Sequence, residues 1–367
     1  MQTRVWSCVM TTTSIPASRS TPRARAAIIG ASGYTGVELM RLCAQHPHLD
    51  LVYATGDTQA GTRAAALYPS LSAAYPDLVF EAFDPDRVDG VDVVFLGLPH
   101  EASMALVPQL TGRVGTIVDL SAAYRLKDAS LYPTWYGFEH DQPDSLATAV
   151  YGLPELDRSA LSGASLVATP GCHVTAATLA LEPLVAAGLI DRHGIVVDSK
   201  TGISGAGRAL KHGSLYCSAD ENLEAYGLLD HRHTPEIEQA ISGDGPSCRV
   251  LFTPHLAPLN RAILATCYAT PAAGAALSTE VLLDAIRARY AGEPFVVVGA
   301  ASPSTKAVLG TNTSMLTARY DERTGTVLAI CAIDNLCKGA SGGAVQAANV
   351  ALGFDETAGL QRVGMYP

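Results

Sequence analysis

The feature that most constrains this chain is a short apolar stretch at residues 26–29. It runs directly into Gly30-Ala31-Ser32-Gly33-Tyr34-Thr35-Gly36 and then into a helical pattern over residues 37–45. A strand that turns through glycines into a helix start presents unpaired N–H groups at a positive dipole end, which suits a pyrophosphate. The spacing is G-x-x-G-x-x-G rather than the G-x-G-x-x-G fingerprint, but its position between a strand and a helix is the context a dinucleotide site requires. Gly30, Ser32, Gly33, Tyr34, Thr35 and Gly36 are therefore candidate cofactor-binding residues. The acid that reads a ribose hydroxyl is expected at the tip of the second strand, about 20 residues further on. That strand, Leu49–Ala54, is followed by Thr55, with Arg63 nearby, which favours NADP; Asp57 would serve NAD.

The same rhythm continues. Residues 92–98 form a nearly unbroken apolar run, the mark of a central strand covered on both faces. A helix over 101–110 and strands over 116–120 and 165–168 follow, so the first part is an α/β, doubly wound parallel sheet. After Cys172 the character changes. A helix over 173–187 precedes strands at 195–201, 249–254 and Ile263–Ala269, a helix over 278–290 capped by Ser278, and strands at 295–299, 314–320 and 327–333. Asp321-Glu322-Arg323-Thr324-Gly325 joins the last two as a hairpin. Several strands with few helices imply a mixed sheet and an α+β second domain. A closing helix covers 341–352.

Composition excludes several classes. A length of 367 residues suggests two domains at about 150 residues each. With 48% hydrophobic and 16% charged residues the chain is not intrinsically disordered. A net charge of −10 opposes nucleic acid as a partner, because phosphate neutralisation needs a basic surface. No stretch reaches the roughly 18–20 apolar residues of a membrane span. The eight cysteines form no C-x-x-C pair, and all but Cys8 fall in apparent core elements. This predicts neither metal site nor disulfide scaffold, and a reducing cytoplasm. Residues 1–25 hold no acidic residue and are rich in Ser, Thr and Arg; they read as a disordered, solvated tail or an over-extended start, with an organelle transit peptide as the other reading.

Four further segments carry chemistry. Thr169-Pro170-Gly171-Cys172-His173 puts a cysteine where a strand ends and a helix begins, and the helix dipole favours its thiolate as a nucleophile. His231-Arg232-His233-Thr234-Pro235-Glu236 supplies imidazoles for proton transfer near pH 7; Thr234 is the expected N-cap of a helix starting at Pro235. No ligand cluster surrounds it, so a metal is not expected. For anions there are Arg125, just after a strand end, and the Gly-rich run from Lys200 to Arg208 with Ser204 and Gly205.

GASGYTGVELMRL, YGLPEL, PGC, SGAGR, HRHTPEIEQ and DNLCKGASGGAVQAANVALG occur in this order. From about residue 26 to its end the chain resembles the N-acetyl-gamma-glutamyl-phosphate reductases of arginine biosynthesis, within the aspartate-semialdehyde-dehydrogenase-like superfamily. The resemblance implies a Rossmann-like NADP-binding domain of residues 26–171 and 338–367, with the last helix returning to it, and a catalytic and oligomerisation domain of residues 172–337. It implies NADPH-dependent reduction of a small acyl phosphate to an aldehyde in a homodimer or homotetramer. It implies that Cys172 is the nucleophile, that His231 and His233 carry protons, that Arg125 binds the phosphate, and that Asn335 lies on the nicotinamide side. Backbone N–H groups at the PGC turn are expected to hold the oxyanion. Two stretches depart from the family pattern: Thr169 and His173-Val174 stand where Asn and Tyr-Pro are usual, and Ala123-Tyr124-Arg125 replaces Asp-Phe-Arg. Two rival readings are a reductase of aspartyl or carrier-linked acyl phosphates, and a catalytically silent NADP sensor on the same fold. HRHTPEI opposes the aspartyl case, and the presence of Cys172 and both histidines opposes the sensor.

Overall fold

The computed structural model describes residues 23–366. Six strands, β1 (Ala24–Ile29), β2 (Leu49–Ala54), β3 (Val93–Leu96), β4 (Thr116–Asp119), β5 (Val150–Tyr151) and β6 (Leu166–Ala168), form one sheet in the order β2-β1-β3-β4-β6-β5. Every pairing in it is parallel. Side chains alternate between two cores: Ile28, Phe95 and Val118 pack on one face, and Ala27, Ile29, Val94, Leu96 and Ile117 on the other. This two-sided burial is why these strands read as continuous apolar runs.

Strand β1 begins at Ala24, which pairs with Leu49, and the Arg25 N–H donates to Asp92 Oδ2 at 2.6 Å. The tail boundary expected at residue 25 therefore moves back. Ladder hydrogen bonds, which leave no mark in a hydrophobic pattern, set this edge. Residues 1–22 of that expected tail lie outside the described residues.

Seven further strands form a mixed sheet: β7 (Ile195–Gly202), β8 (Glu224–Ala225), β9 (Val250–Ala257), β10 (Ile263–Ala269), β11 (Val296–Val298), β12 (Ser314–Asp321) and β13 (Thr326–Ile333). Their order is β11-β12-β13-β10-β7-β9-β8. One face carries Ile195, Val197, Ile263, Ala265, Cys267 and Cys331 against the helices Cys172–Ala186, His233–Ser242 and Thr279–Arg289. Ser278 caps the last of these, accepting from the Val281 N–H. The opposite face leaves Leu251, Tyr268 and Val297 exposed.

The closing helix begins one residue later than expected, at Gly342, after a wide turn over Cys337–Ser341 in which the Ser341 N–H donates to the Leu336 carbonyl. Its Ala344, Val345, Ala347 and Ala348 pack in the first sheet's core. The turn buries Lys338, whose Nζ meets Glu155 Oε1 at 2.5 Å and Gln346 Oε1 at 2.6 Å. No described helix is long and apolar enough to cross a membrane. The described cysteines are all free thiols, and Cys217 is exposed rather than in the core, a correction to the uniform burial expected.

Candidate active site

Strand β1 feeds the helix Tyr34–Gln45 through Gly30, whose φ of +90° suits glycine; a Cβ there would collide with the Gly97 carbonyl. No side chain caps this helix at Gly33 and no acid stands in its first turn, so its N–H groups and dipole remain available to an anion. Gly33, Tyr34 and Thr35 line a cleft of about 540 Å³. Gly30, Ser32 and Gly36 are not among the residues that line it; Gly36 is buried and the other two are half-buried in the turn. Thr55 is buried, and its hydroxyl accepts from the Gly30 N–H at 3.1 Å, so it braces the glycine turn from within. Asp57 is exposed just beyond, at φ +35°.

The same cleft is lined by Cys172, His231, His233, Arg125, Ser204, Gly205, Arg208 and Asn335. Residues separated by more than 200 positions thus meet at the carboxyl ends of the first sheet, where doubly wound folds bind ligands. Cys172 is the first residue of its helix and is half-buried. Burial pushes its thiol up to about 11, while the Arg125 guanidinium and the backbone N–H groups of His173 and Cys172 pull it down. Burial outweighs the stabilisation expected at a helix start, so the resting thiol is protonated and needs a base.

The helix His233–Ser242 begins at His233, not at Pro235, and Thr234 makes no side-chain cap. Placing His233 inside the first turn presses its ring onto Gly171; a Cβ on Gly171 would collide with His233 Nε2. His231 Nδ1 accepts from the His233 N–H at 3.1 Å, and the two rings lie 4.7 Å apart, edge to face. Burial and Arg232 lower His231 to about 4; burial, His231 and His173 hold His233 well below the usual histidine range. Both are neutral bases at pH 7.

Three residues on from His233, and so on the same helix face, Glu236 is fully buried. Its Oε1 accepts from the Gly171 N–H at 3.0 Å and from Tyr151 Oη at 2.9 Å, and its Oε2 lies 3.5 Å from Arg125 Nη1. Sequence reasoning quoted Glu236 but assigned it no role; its spacing from His233 was the available signal. The Gly171 N–H, being engaged, is not free for an oxyanion, which corrects that part of the expectation.

Arg125 is 8% exposed. Its Nε donates to the Thr169 carbonyl at 2.6 Å and its Nη2 to the Leu120 carbonyl at 2.8 Å. The guanidinium therefore ties the β4 exit to the PGC turn. Gln239 holds the same loop, donating to the Arg125 carbonyl and accepting from the Lys127 N–H. By contrast Arg208 and Lys211 line the cleft and form no ion pair among the described residues. Asn335 is buried: its Oδ1 accepts from the Ala262 N–H at 2.7 Å and its Nδ2 donates to Ser204 Oγ at 3.0 Å, which fixes the Gly-rich loop.

Residues 25–164 match the semialdehyde dehydrogenase NAD binding domain, and residues 172–335 the semialdehyde dehydrogenase dimerisation domain. The N-acetyl-gamma-glutamyl-phosphate reductase of Symbiobacterium thermophilum is 47% identical over 348 residues, spanning 94% of this chain and 99% of that one. The chain belongs to the N-acetyl-gamma-glutamyl-phosphate reductase family. A second member, from Pelobacter propionicus, is 46% identical over 93% of this chain and 99% of its own. Among solved structures, aspartate semialdehyde dehydrogenase II of Vibrio cholerae shares the fold at a TM-score of 0.66 and 16% identity, covering 90% of this chain and 98% of that one. Aspartate semialdehyde dehydrogenase with NADP from Candida albicans does so at 0.65 and 15%, over 89% and 98%. For a reductase of this family, the convergence of PGC, HRHTPE and the glycine turn on one cleft gives the signature motifs a common purpose.

Proposed function

We infer that this chain reduces N-acetyl-gamma-glutamyl phosphate to N-acetylglutamate 5-semialdehyde, using NADPH and a thioacyl intermediate on Cys172. The observation that carries the reading is the placement of Cys172, two neutral histidines and unpaired cations in one cleft that also reaches the glycine turn. His233 Nε2, lying against Gly171, takes the Cys172 proton. The thiolate attacks the acyl carbon, the C–O bond to phosphate breaks, and phosphate leaves from beside Arg208 and Lys211, taking a proton from solvent, with Arg125 adding positive potential from the cleft wall. When bound, NADPH supplies a hydride to the thioester carbon. The C–S bond then breaks, and the imidazolium returns its proton to Cys172. The uncapped helix start at Gly33 fits the pyrophosphate. The residue that follows β2 is Thr55 rather than an acid, which supports NADPH over NADH.

We assign the open face of the second sheet, around Leu251 and Tyr268, to contact with a second copy of the chain. Exposed apolar side chains on a flat sheet face, within the segment that matches a dimerisation domain, support this. Tyr268→Asp should lower the mass measured by light scattering; an unchanged mass places the contact elsewhere.

The decisive test of the reaction is phosphate-dependent reduction of NADP by purified protein with N-acetylglutamate semialdehyde, beside aspartate semialdehyde. Turnover with the first and not the second is expected. The reverse preference would overturn the substrate assignment.

A further inference from the structure

His173, the residue after the nucleophile, points away from Cys172 into a buried polar chain. Its Nδ1 lies 2.7 Å from Ser199 Oγ and its Nε2 3.1 Å from Tyr226 Oη. Its ring packs against His231, His233 and Phe252 at centroid distances of 6.1, 5.8 and 5.4 Å. Ser199 is fully buried on β7, with His173 as its side-chain partner; Tyr226 is half-buried and lines the cleft.

Counting donors settles the direction of this chain. A neutral imidazole has one donor and one acceptor nitrogen. Burial lowers His173 to about 3, so it is neutral. A buried hydroxyl proton without an acceptor is costly, so Ser199 donates to Nδ1. The ring proton then sits on Nε2 and is donated to Tyr226 Oη. That leaves the Tyr226 O–H without an acceptor among the described residues, on a side chain that lines the cleft. Burial and the nearby Cys172 raise the Tyr226 hydroxyl above its usual range, so it stays protonated. The Gly171 N–H is held by Glu236, so the acyl oxygen has the backbone N–H groups at the helix start and a side-chain hydroxyl such as this one to receive it.

We propose that Tyr226 is a catalytic hydrogen-bond donor to the acyl oxygen at Cys172, and that His173 and Ser199 are positioning residues that aim it. No proton is transferred. As negative charge builds on the oxygen in each tetrahedral species, the Tyr226 hydrogen bond shortens and strengthens. The proposal rests on the thioacyl reading above.

The experiment is steady-state kinetics in the phosphate-dependent direction, with NADPH affinity measured for every variant as a check on folding. Tyr226→Phe should lower kcat on the order of 100-fold with KM changed by no more than a few-fold. His173→Phe should lower kcat about tenfold, and His173→Gln, which keeps a donor toward Tyr226, should recover most of it. In the Tyr226→Phe background the His173→Phe loss should disappear, because the two act through one hydrogen bond. Ser199→Ala gives a second route to the same non-additivity if His173→Phe fails to bind NADPH. Wild-type kcat in Tyr226→Phe, or fully additive losses, would overturn the proposal. Absence of wild-type turnover would instead overturn the reaction on which it rests.

Discussion

On the inner wall of the cleft, Arg125, Glu236, Tyr151 and Gly171 hold one another; the charged pair is buried and Tyr151 is half-buried. On the outer wall, the segment after β7 carries Arg208 and Lys211 facing the cleft, with Leu210, Tyr216, Leu228 and Leu229 exposed. Both walls bear arginines beside a glycine-rich or strand-end turn, and in the sequence both read as anion handling. Burial separates them. The inner cation donates to two backbone carbonyls and forms an ion pair with the Glu236 carboxylate, so most of its reach is spent within the protein. The outer cations line the cleft and form no ion pair among the described residues, so their donors are open to a ligand.

Substitutions can break this contrast in order of expected size. Cys172→Ala, at the centre of the inner wall, should reduce turnover by at least about a thousandfold while NADPH affinity stays within a few-fold. Near-normal turnover, measured as NADP reduction, would remove the covalent step. Glu236→Ala leaves Arg125 buried without its carboxylate and frees the Gly171 N–H. It should cost about 3–5 kcal/mol in chemical denaturation, as breaking a buried pair does. A loss under about 1 kcal/mol would mean that the Arg125–Glu236 pair does not hold the inner wall together.

The two arginines give a sharper comparison. Arg208→Ala should raise the KM for phosphate about tenfold, equivalent to about 1.4 kcal/mol, with Tm unchanged. Arg125→Lys should chiefly lower Tm, because a lysine cannot bridge two carbonyls and a carboxylate in the same plane. If Arg125→Lys instead raises the phosphate KM with no change in Tm, the roles of the two walls are exchanged.

Acid should loosen the inner wall first. His231 is held at about 4 and His173 at about 3, mainly by burial, against about 6.5 for an unfolded histidine. Between these values the unfolded chain binds more protons than the folded one, so stability falls as pH falls below about 6.5. Tm at pH 5 should lie a few degrees below Tm at pH 7.5, and His231→Asn should shrink the difference. A Tm that rises on acidification would show that the histidines are not held neutral.

Much of the fold was legible because burial writes itself into periodicity. The runs around Val93–Leu96 and Ile263–Ala269 identified one sheet covered on both faces and another covered on one. The glycine turn, Cys172 and the histidines were also legible, because each needs a residue type and a local position that few alternatives share. Less visible was where elements begin: β1 gained Ala24 and Arg25 through ladder and side-chain hydrogen bonds, and the helix at His233 started ahead of its expected cap.

By itself the sequence determined which groups are able to react, since a cysteine at a helix start and a pair of histidines are chemical facts of local order. The tertiary structure alone decided what each polar residue is free to do. Arg125, Thr55 and Asn335 look available along the chain, yet each is held by residues dozens to hundreds of positions away: Thr169, Gly30, and Ala262 with Ser204. His173 looks like a neighbour of the nucleophile and instead faces Ser199 and Tyr226. The physical reason is that a buried polar group must find a partner, and folding rather than sequence order chooses which one.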